Sequence, residues 1–514
     1  MISTYKSAGS LRTLLAAIAV CGIAGCATQP LSSPAASSAQ PSDMRVLQRL
    51  TWGASSSAAK QLSVLGAQRY IEQQLQPGAT AALPAPIQTQ IDGLTISQRP
   101  FDELIYALEQ QRRDAIGNAE PEQRNAAQRA YQVEATRLAR EAATRTILRA
   151  IYSPNQLHEQ MTWFWMNHFS VFQNKVAIVR AMVGDYEEQA IRPHALGRFR
   201  SLLGATARHP AMLRYLDNAF NAANRLNENY ARELMELHTL GVGAGYSQHD
   251  VQELARILTG VGINLTALTP SVRPERQHDY VRLGAFEFNP NRHDYGDKVF
   301  LGKPIAGRGL SELDEALDRL ARHPATAHFV SRKLAVYFVA DEPPAQLVER
   351  MSQTFQKSDG DIAAVLRTML HSTEFAESLG GKFKDPMHYV ISALRLSYDE
   401  RPIVNTAPVI GWLYRLGQGL YNRETPDGYP LIQAAWASPG QMTTRFELAK
   451  AIGSGRINLF DIEASRSIDR PVPQLPQPFL RDKLSADTLS VLEQVTDAAQ
   501  WNTLFLSSPE FMYR

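Results

Sequence analysis

NENYARELMELHTLGVGAGYSQHDVQELARILTG, residues 227–260, reads as helix, stop, helix. Steps of about 100° from Tyr230 put Tyr230, Leu234 and Leu237 on one stripe, with Asn229, Glu233 and Glu236 on a narrow arc opposite. His238 falls away from the glutamates, beside Ala231 and Leu234, which predicts a core histidine. Gly241, Gly243 and Gly245 stop the run, and Ser247 with Asp250 three residues on forms a capping-box start for a second helix. That second helix has Glu253 and Arg256 beside an apolar stripe of Val251, Leu254, Leu258 and Val261. The segment is therefore a helical hairpin.

The same three-to-four spacing extends in both directions. DMRVLQRL (43–50), SAAKQLSVLGAQRYIEQQL (57–75), 120–151, 311–338, 343–376 and 385–399 read as amphipathic helices with few β-branched residues. Strand-like runs are scarce, YVRLGAFEF (280–288) and KVFLG (298–302) being the best. The expected fold class is mainly α, a multi-helix globular fold with a few short strands around residues 280–302. Residues 76–86 read as a tether-like piece after the first helices, and the length leaves open a division into two subdomains near 300–340.

The first 25 residues read as a processing segment. Lys6 and Arg12 precede an apolar run, Leu14–Ile23, and Ile23-Ala24-Gly25-Cys26 is the small-residue pattern before a lipidated cysteine. Cys26 is thus expected to become the acylated first residue of a lipoprotein, with residues 26–42, rich in Pro, Ser and Ala, as a flexible tether to a folded part over 43–514. An ordinary secretory signal or an N-terminal anchor is the alternative. The two cysteines are Cys21 and Cys26, so a mature chain lipidated at Cys26 has no thiol for a disulfide, a zinc–thiolate site or nucleophilic catalysis. A net charge of +2 gives no electrostatic footprint for nucleic acid.

Chemically loaded positions lie elsewhere too. MTWFWMNHFSVF (161–172) is apolar nearly all round, which marks a buried helix, and His168 falls among Leu157, Met161 and Phe164. A buried imidazole needs a partner, either a carboxylate, making a base and its orienter, or a backbone carbonyl. FNPNRHDYGDKVFLG (288–302) presents His293, Asp294 and Lys298 on a loop, and TPDGYP (425–430) presents Asp427 and Tyr429; both patterns also simply make turns. There is no G-x-S-x-G elbow, Walker A loop, G-x-G-x-x-G stretch or C-x-x-C-H motif, which disfavours serine hydrolases, NTPases, dinucleotide-binding proteins and c-type cytochromes.

In chain order, RVLQRLTWGAS, TWFWMNHFS, NENYARELMELHTLGV with GYSQHDVQELARILTG, HDYGDKVFLG, SRKLAVYFV and DGYP resemble the bacterial domain-of-unknown-function 1800 family. Met166 departs from it, standing where the family often has histidine. The resemblance implies a mainly helical, secreted or envelope-associated protein, with a sulfatase-like or phosphatase-like secreted protein as partner. It maps the family's characteristic blocks onto Asn167, His168, Asn229, Arg232, Glu233, Glu236, His238, His293, Asp294, Gly296, Lys298, Asp427, Gly428 and Tyr429. Ala27 and Thr28 lack the aspartate that retains lipoproteins at the inner membrane, so the chain resembles an outer-membrane lipoprotein of the cell envelope.

Three functions remain open. One is an enzyme acting on an envelope or extracellular glycan, with His168, Glu233, Glu236 and Asp294 as catalytic candidates and Asn167, Asn229, Arg232, Lys298, Asp427 and Tyr429 as substrate-binding candidates. Glu233 and Glu236, three apart on one helix, lie too close to flank a glycosidic bond, so a second carboxylate must come from Asp294 or Asp427. Another is a binding or assembly protein without turnover, in which the polar face of Arg232, Glu233 and Glu236 is merely solvated or meets a partner. The third is a metal-dependent protein in which Glu233, Glu236, His293 and Asp294 converge on a divalent cation.

Overall fold

The protein is described by a computed structural model over residues 41–76, 82–117, 120–399, 401–460, 472–475 and 484–514. The candidate signal segment, Cys26 and the tether as far as residue 40 lie outside the described residues. Helices dominate, as the 3.6-residue period predicts.

A 32-residue helix, Pro121–Tyr152, forms a spine. It begins on proline, whose missing N–H would have no partner at that position, and places Glu122 in its first turn and Arg149 in its last, matching the helix dipole. Its second half is buried through Ala135, Leu138, Ala139, Ala142 and Ile147. These small side chains let the Ala177–Asp185 helix approach closely; a Cβ on Gly184 would fall 2.8 Å from that of Ala142. The Gln156–His168 helix lies deeper still, with every residue except His158 buried, which accounts for its all-round apolarity.

Some runs that read as continuous helix are divided, each at a residue that cannot continue it. Gly66, at φ 75°, separates Ser56–Leu65 from Ala67–Leu75. His323, extended because it precedes a proline, separates Ser311–Arg322 from Pro324–Phe338. Asp359 and Gly360, both left-handed, separate Ala345–Lys357 from Ile362–Leu370.

The strands form two small antiparallel sheets. β1 (Val261–Ile263), β2 (Val281–Leu283) and β3 (Phe286–Phe288) pair in the order β1-β3-β2, with Phe288 opposite both Val261 and Val281. The 280–288 run is thus a hairpin turning at Gly284. β4 (Lys298–Phe300) pairs with β5 (Lys303–Ile305) through Leu301-Gly302, both at positive φ as a two-residue hairpin turn requires.

The first and last described segments meet at the base of the Gln156–His168 helix. Arg49, fully buried, donates to the carbonyls of Phe338, Ser378 (2.7 Å) and Arg514 (2.7 Å). The Arg514 guanidinium donates to Gln160 (3.1 Å) and to the Tyr337 carbonyl (2.8 Å). These bonds fix the Gln156–His168 helix relative to Pro324–Phe338, and both carry residues of the site below.

Candidate functional site

The first helix of the hairpin is shorter than its sequence suggests, ending at Glu236 with the 237–241 stretch in turns. Tyr230, Ala231, Leu234 and Met235 are buried, and the polar arc faces outward. The capping box at Ser247 and Asp250 is present. Asn229 donates to the Leu216 carbonyl (3.1 Å), so it ties the helix down. Arg232 is shared among Glu228 (3.2 Å), Gln248 (2.8 Å) and Glu236 (3.5 Å). Glu236 lies also beside Tyr246, whose phenol is pushed up to about 12 by burial and by Glu236. Glu233 is different. Its carboxylate, half-buried, has no hydrogen bond or ion pair among the described residues, and burial, Glu236 and Asp427 together raise its pKa above the ordinary carboxylate value.

Asp427 arrives from a loop pinned to the end of the Gln156–His168 helix. The Asn167 amide pairs with the Tyr429 backbone at two points, accepting from its N–H (2.6 Å) and donating to its carbonyl (2.9 Å). Gly428, at φ 79°, lies so close that a Cβ there would collide with the Asn167 carbonyl. Tyr429 is buried, with its hydroxyl donating to the Gly419 carbonyl (2.9 Å). Asn167 and Tyr429 therefore act as a clamp that aims Asp427. Burial alone would raise the Asp427 carboxyl, but Arg423 (2.9 Å to both oxygens) and Thr425 (2.5 Å) donate to it and hold it below the ordinary value.

Beneath Asp427 lie two histidines and a lysine. His168 and His238 are both buried, their rings 6.1 Å apart. His168 Nε2 bonds the His238 carbonyl (3.0 Å), the second of its two expected kinds of partner, and its Nδ1 has none. His238 is buried as the helical wheel predicts, yet neither ring nitrogen is satisfied. Burial, and then the nearby Lys333, hold His168 far below the ordinary histidine value and His238 at about 3. Lys333, on Pro324–Phe338, is pushed down to about 8 by burial, against the pull of Asp427. Asp427 is close enough to both Glu233 and Lys333 to bear on their titration.

The family profile described as "Protein of unknown function (DUF1800)" matches residues 45–513. The chain belongs to the DUF1800 family. No curated protein and no solved structure matches it.

In this DUF1800 chain the blocks at 161–172, 227–241 and 425–430, with SRKLAVYFV, meet at one place, and the HDYGDKVFLG block serves another. His293 Nε2 bonds Glu312 (3.0 Å), and Lys298 Nζ donates to Glu312 (2.5 Å), all three side chains being fully buried. Lys298 also donates to the Asp294 carbonyl. Glu312 further accepts from the backbone N–H groups of Arg308 (2.6 Å) and Gly309 (2.9 Å). Asp294 is held low first by hydrogen bonds from Arg256 (Nε, 2.8 Å), which also pairs with Glu253 (2.7 Å). Glu253 and Asp250 in turn accept from Val299 and Leu301, latching the Gln248–Ile257 helix to β4. His293, Asp294 and Lys298 have their bonds within this latch and not with the Glu233 site.

The metal candidates Glu233, Glu236, His293 and Asp294 divide accordingly, and among the described residues no group of three or more His, Cys, Asp or Glu side chains is arranged to hold one ion. Sequence reasoning passed over Lys333, Arg423 and Tyr246. Lys333 stands in SRKLAVYFV and Tyr246 in GYSQHDVQELARILTG, blocks that carry the family resemblance, but neither spacing distinguishes them from ordinary helix and turn residues.

Proposed function

We propose that the protein is a lipid-anchored envelope enzyme that acts on an envelope or extracellular glycan by acid–base catalysis, with Glu233 as proton donor and Asp427 as the ionised carboxylate. One observation carries the reading: two carboxyls on different elements of one site have their pKa values pushed apart, Glu233 up by burial and like charge, Asp427 down by Arg423 and Thr425. Such divergence suits a pair in which one group gives a proton while the other stays charged. Asp427 meets the requirement for a second carboxylate from outside the helix, and Asp294, committed to Arg256, does not. Asn167 and Tyr429 position Asp427 through the loop, and Arg232 and Tyr246 keep Glu236 occupied.

The test uses the full-length protein in detergent with isolated envelope polysaccharides, following the release of reducing ends. Glu233→Gln and Asp427→Asn should each lower the rate about 10²- to 10⁴-fold with an unchanged melting temperature, and Glu236→Gln far less. The reading fails if no glycan yields more ends with wild type than with Glu233→Gln.

Anchoring through Cys26 in the outer membrane belongs to the same proposal. Among the described residues no helix is long and apolar enough to cross a membrane, and a lipid at Cys26 would supply attachment. Cys26→Ser is expected to release the protein from the membrane or to leave it unprocessed; normal processing with unchanged membrane retention would contradict it.

A second reading, a binding or assembly protein for a secreted partner or glycan, draws on Phe220 (50% exposed) and Leu226 (40%), apolar side chains just ahead of the Asn229–Glu236 helix. A sulfatase-like or phosphatase-like secreted protein is the partner the family resemblance suggests. Reducing-end release separates the readings.

A further inference from the structure

The charges of the site pair off almost completely. Arg232 serves Glu228 and Glu236, and Arg423 serves Asp427. Glu233 and Lys333 are left over, one a carboxyl whose pKa is raised and the other an amine. The Lys333 side chain, partly buried, has no hydrogen bond or ion pair among the described residues, and the ammonium lies 5.4 Å from the centroid of the Phe329 ring. The titratable groups that face it are His168, His238 and Asp427. Neither histidine offers it a bond, and the carboxylate of Asp427 is taken by Arg423 and Thr425. A partly buried ammonium with no protein oxygen to donate to is open to an anionic oxygen brought by a ligand. The histidines below remain neutral and do not compete for that anion.

We propose that the glycan handled at this site is acidic, and that one of its anionic groups binds Lys333. The inference rests on the reading of the site as glycan-binding and adds the class of glycan. Lys333 is a recognition residue here and takes no part in proton transfer. Because burial holds the amine down, pairing with an anion raises its affinity for a proton, so binding near pH 8 takes up a proton from solution. A lysine that served only packing would leave proton uptake unchanged.

The experiment is calorimetric titration of the full-length protein in detergent with oligogalacturonate, and with a neutral dextran oligomer of equal length, in two buffers of different ionisation enthalpy. Wild type should bind the acidic oligomer about 10- to 100-fold more tightly than the neutral one, the factor expected for one charge-assisted bond, with proton uptake near pH 8. Lys333→Met should remove both the preference and the uptake, and Lys333→Arg should keep the preference and lose the uptake. Equal binding of the two oligomers, no binding of the acidic one, or a preference that survives in Lys333→Met would overturn the proposal. An acidic preference that depends on Lys333, in a protein that cleaves no glycan, would uphold it while removing the catalytic reading. Cleavage of neutral glycans that depends on Glu233 and is indifferent to Lys333→Met would do the reverse.

Discussion

Lowering the pH from 7 to 5 is expected to remove about 2 kcal/mol of folding stability through His238 alone. An unfolded histidine protonates near 6.5. Burial and Lys333 hold His238 at about 3, so at pH 5 it is neutral in the folded chain and charged in the unfolded one. Between those limits the unfolded state binds more protons, so stability falls as pH falls. The contribution is present in full well above 6.5 and declines by about 1.4 kcal/mol per unit below it, which gives about 2 kcal/mol by pH 5. His168, held far below its ordinary value by burial and Lys333, and His388, lowered to about 4 by burial and Arg514, act in the same direction. Urea midpoints at the two pH values measure the effect, and His238→Leu assigns it. That variant removes an imidazole with no hydrogen-bond partner and should flatten the pH dependence by about 2 kcal/mol. Midpoints that coincide at pH 7 and 5 would show that the histidines are not held neutral.

Glu312→Gln is expected to destabilise the fold by about 3–5 kcal/mol. The substitution preserves shape but leaves the Lys298 ammonium without its carboxylate at a fully buried position, next to His293. The penalty comes from the stranded charge more than from the lost attraction. Lys298→Met in the same background removes that charge and should recover a good part of the loss. Chemical unfolding of wild type, Glu312→Gln and the double variant measures the loss and its recovery. A single variant within about 1 kcal/mol of wild type would mean that the latch is solvated and that HDYGDKVFLG serves something other than stability.

The hairpin at 227–260 was the most legible part of the chain, because each of its signals is local. The Ser247 and Asp250 cap, the burial of His238 and the stripe of Val251, Leu254 and Leu258 depend only on residues within a few turns. The breaks at Gly66 and at His323-Pro324 were equally local and were passed over because the flanking periodicity runs through them. What sequence could not supply is partnership across the chain. Asn167 and Tyr429 are 262 residues apart, and nothing near either says that one clamps the other. His293 and Lys298 look like a binding loop until Glu312, on a helix that reads as plainly amphipathic, closes over them. Lys333 is the extreme case, an unexceptional helical lysine made unusual by two histidines and an aspartate from three other segments.

The divergence of Glu233 and Asp427 can be measured without any substrate. Carbodiimide activates protonated carboxyls, so labelling the intact protein with carbodiimide and glycine ethyl ester over a pH series, followed by peptide mass spectrometry, reads the protonation of each side chain. At about pH 6 Glu233 should label well ahead of Asp427, even though Asp427 is half-exposed and accessibility alone would favour it. If Asp427 labels first, or the two label together, the carboxyls are not set apart and the acid–base account of this site is wrong.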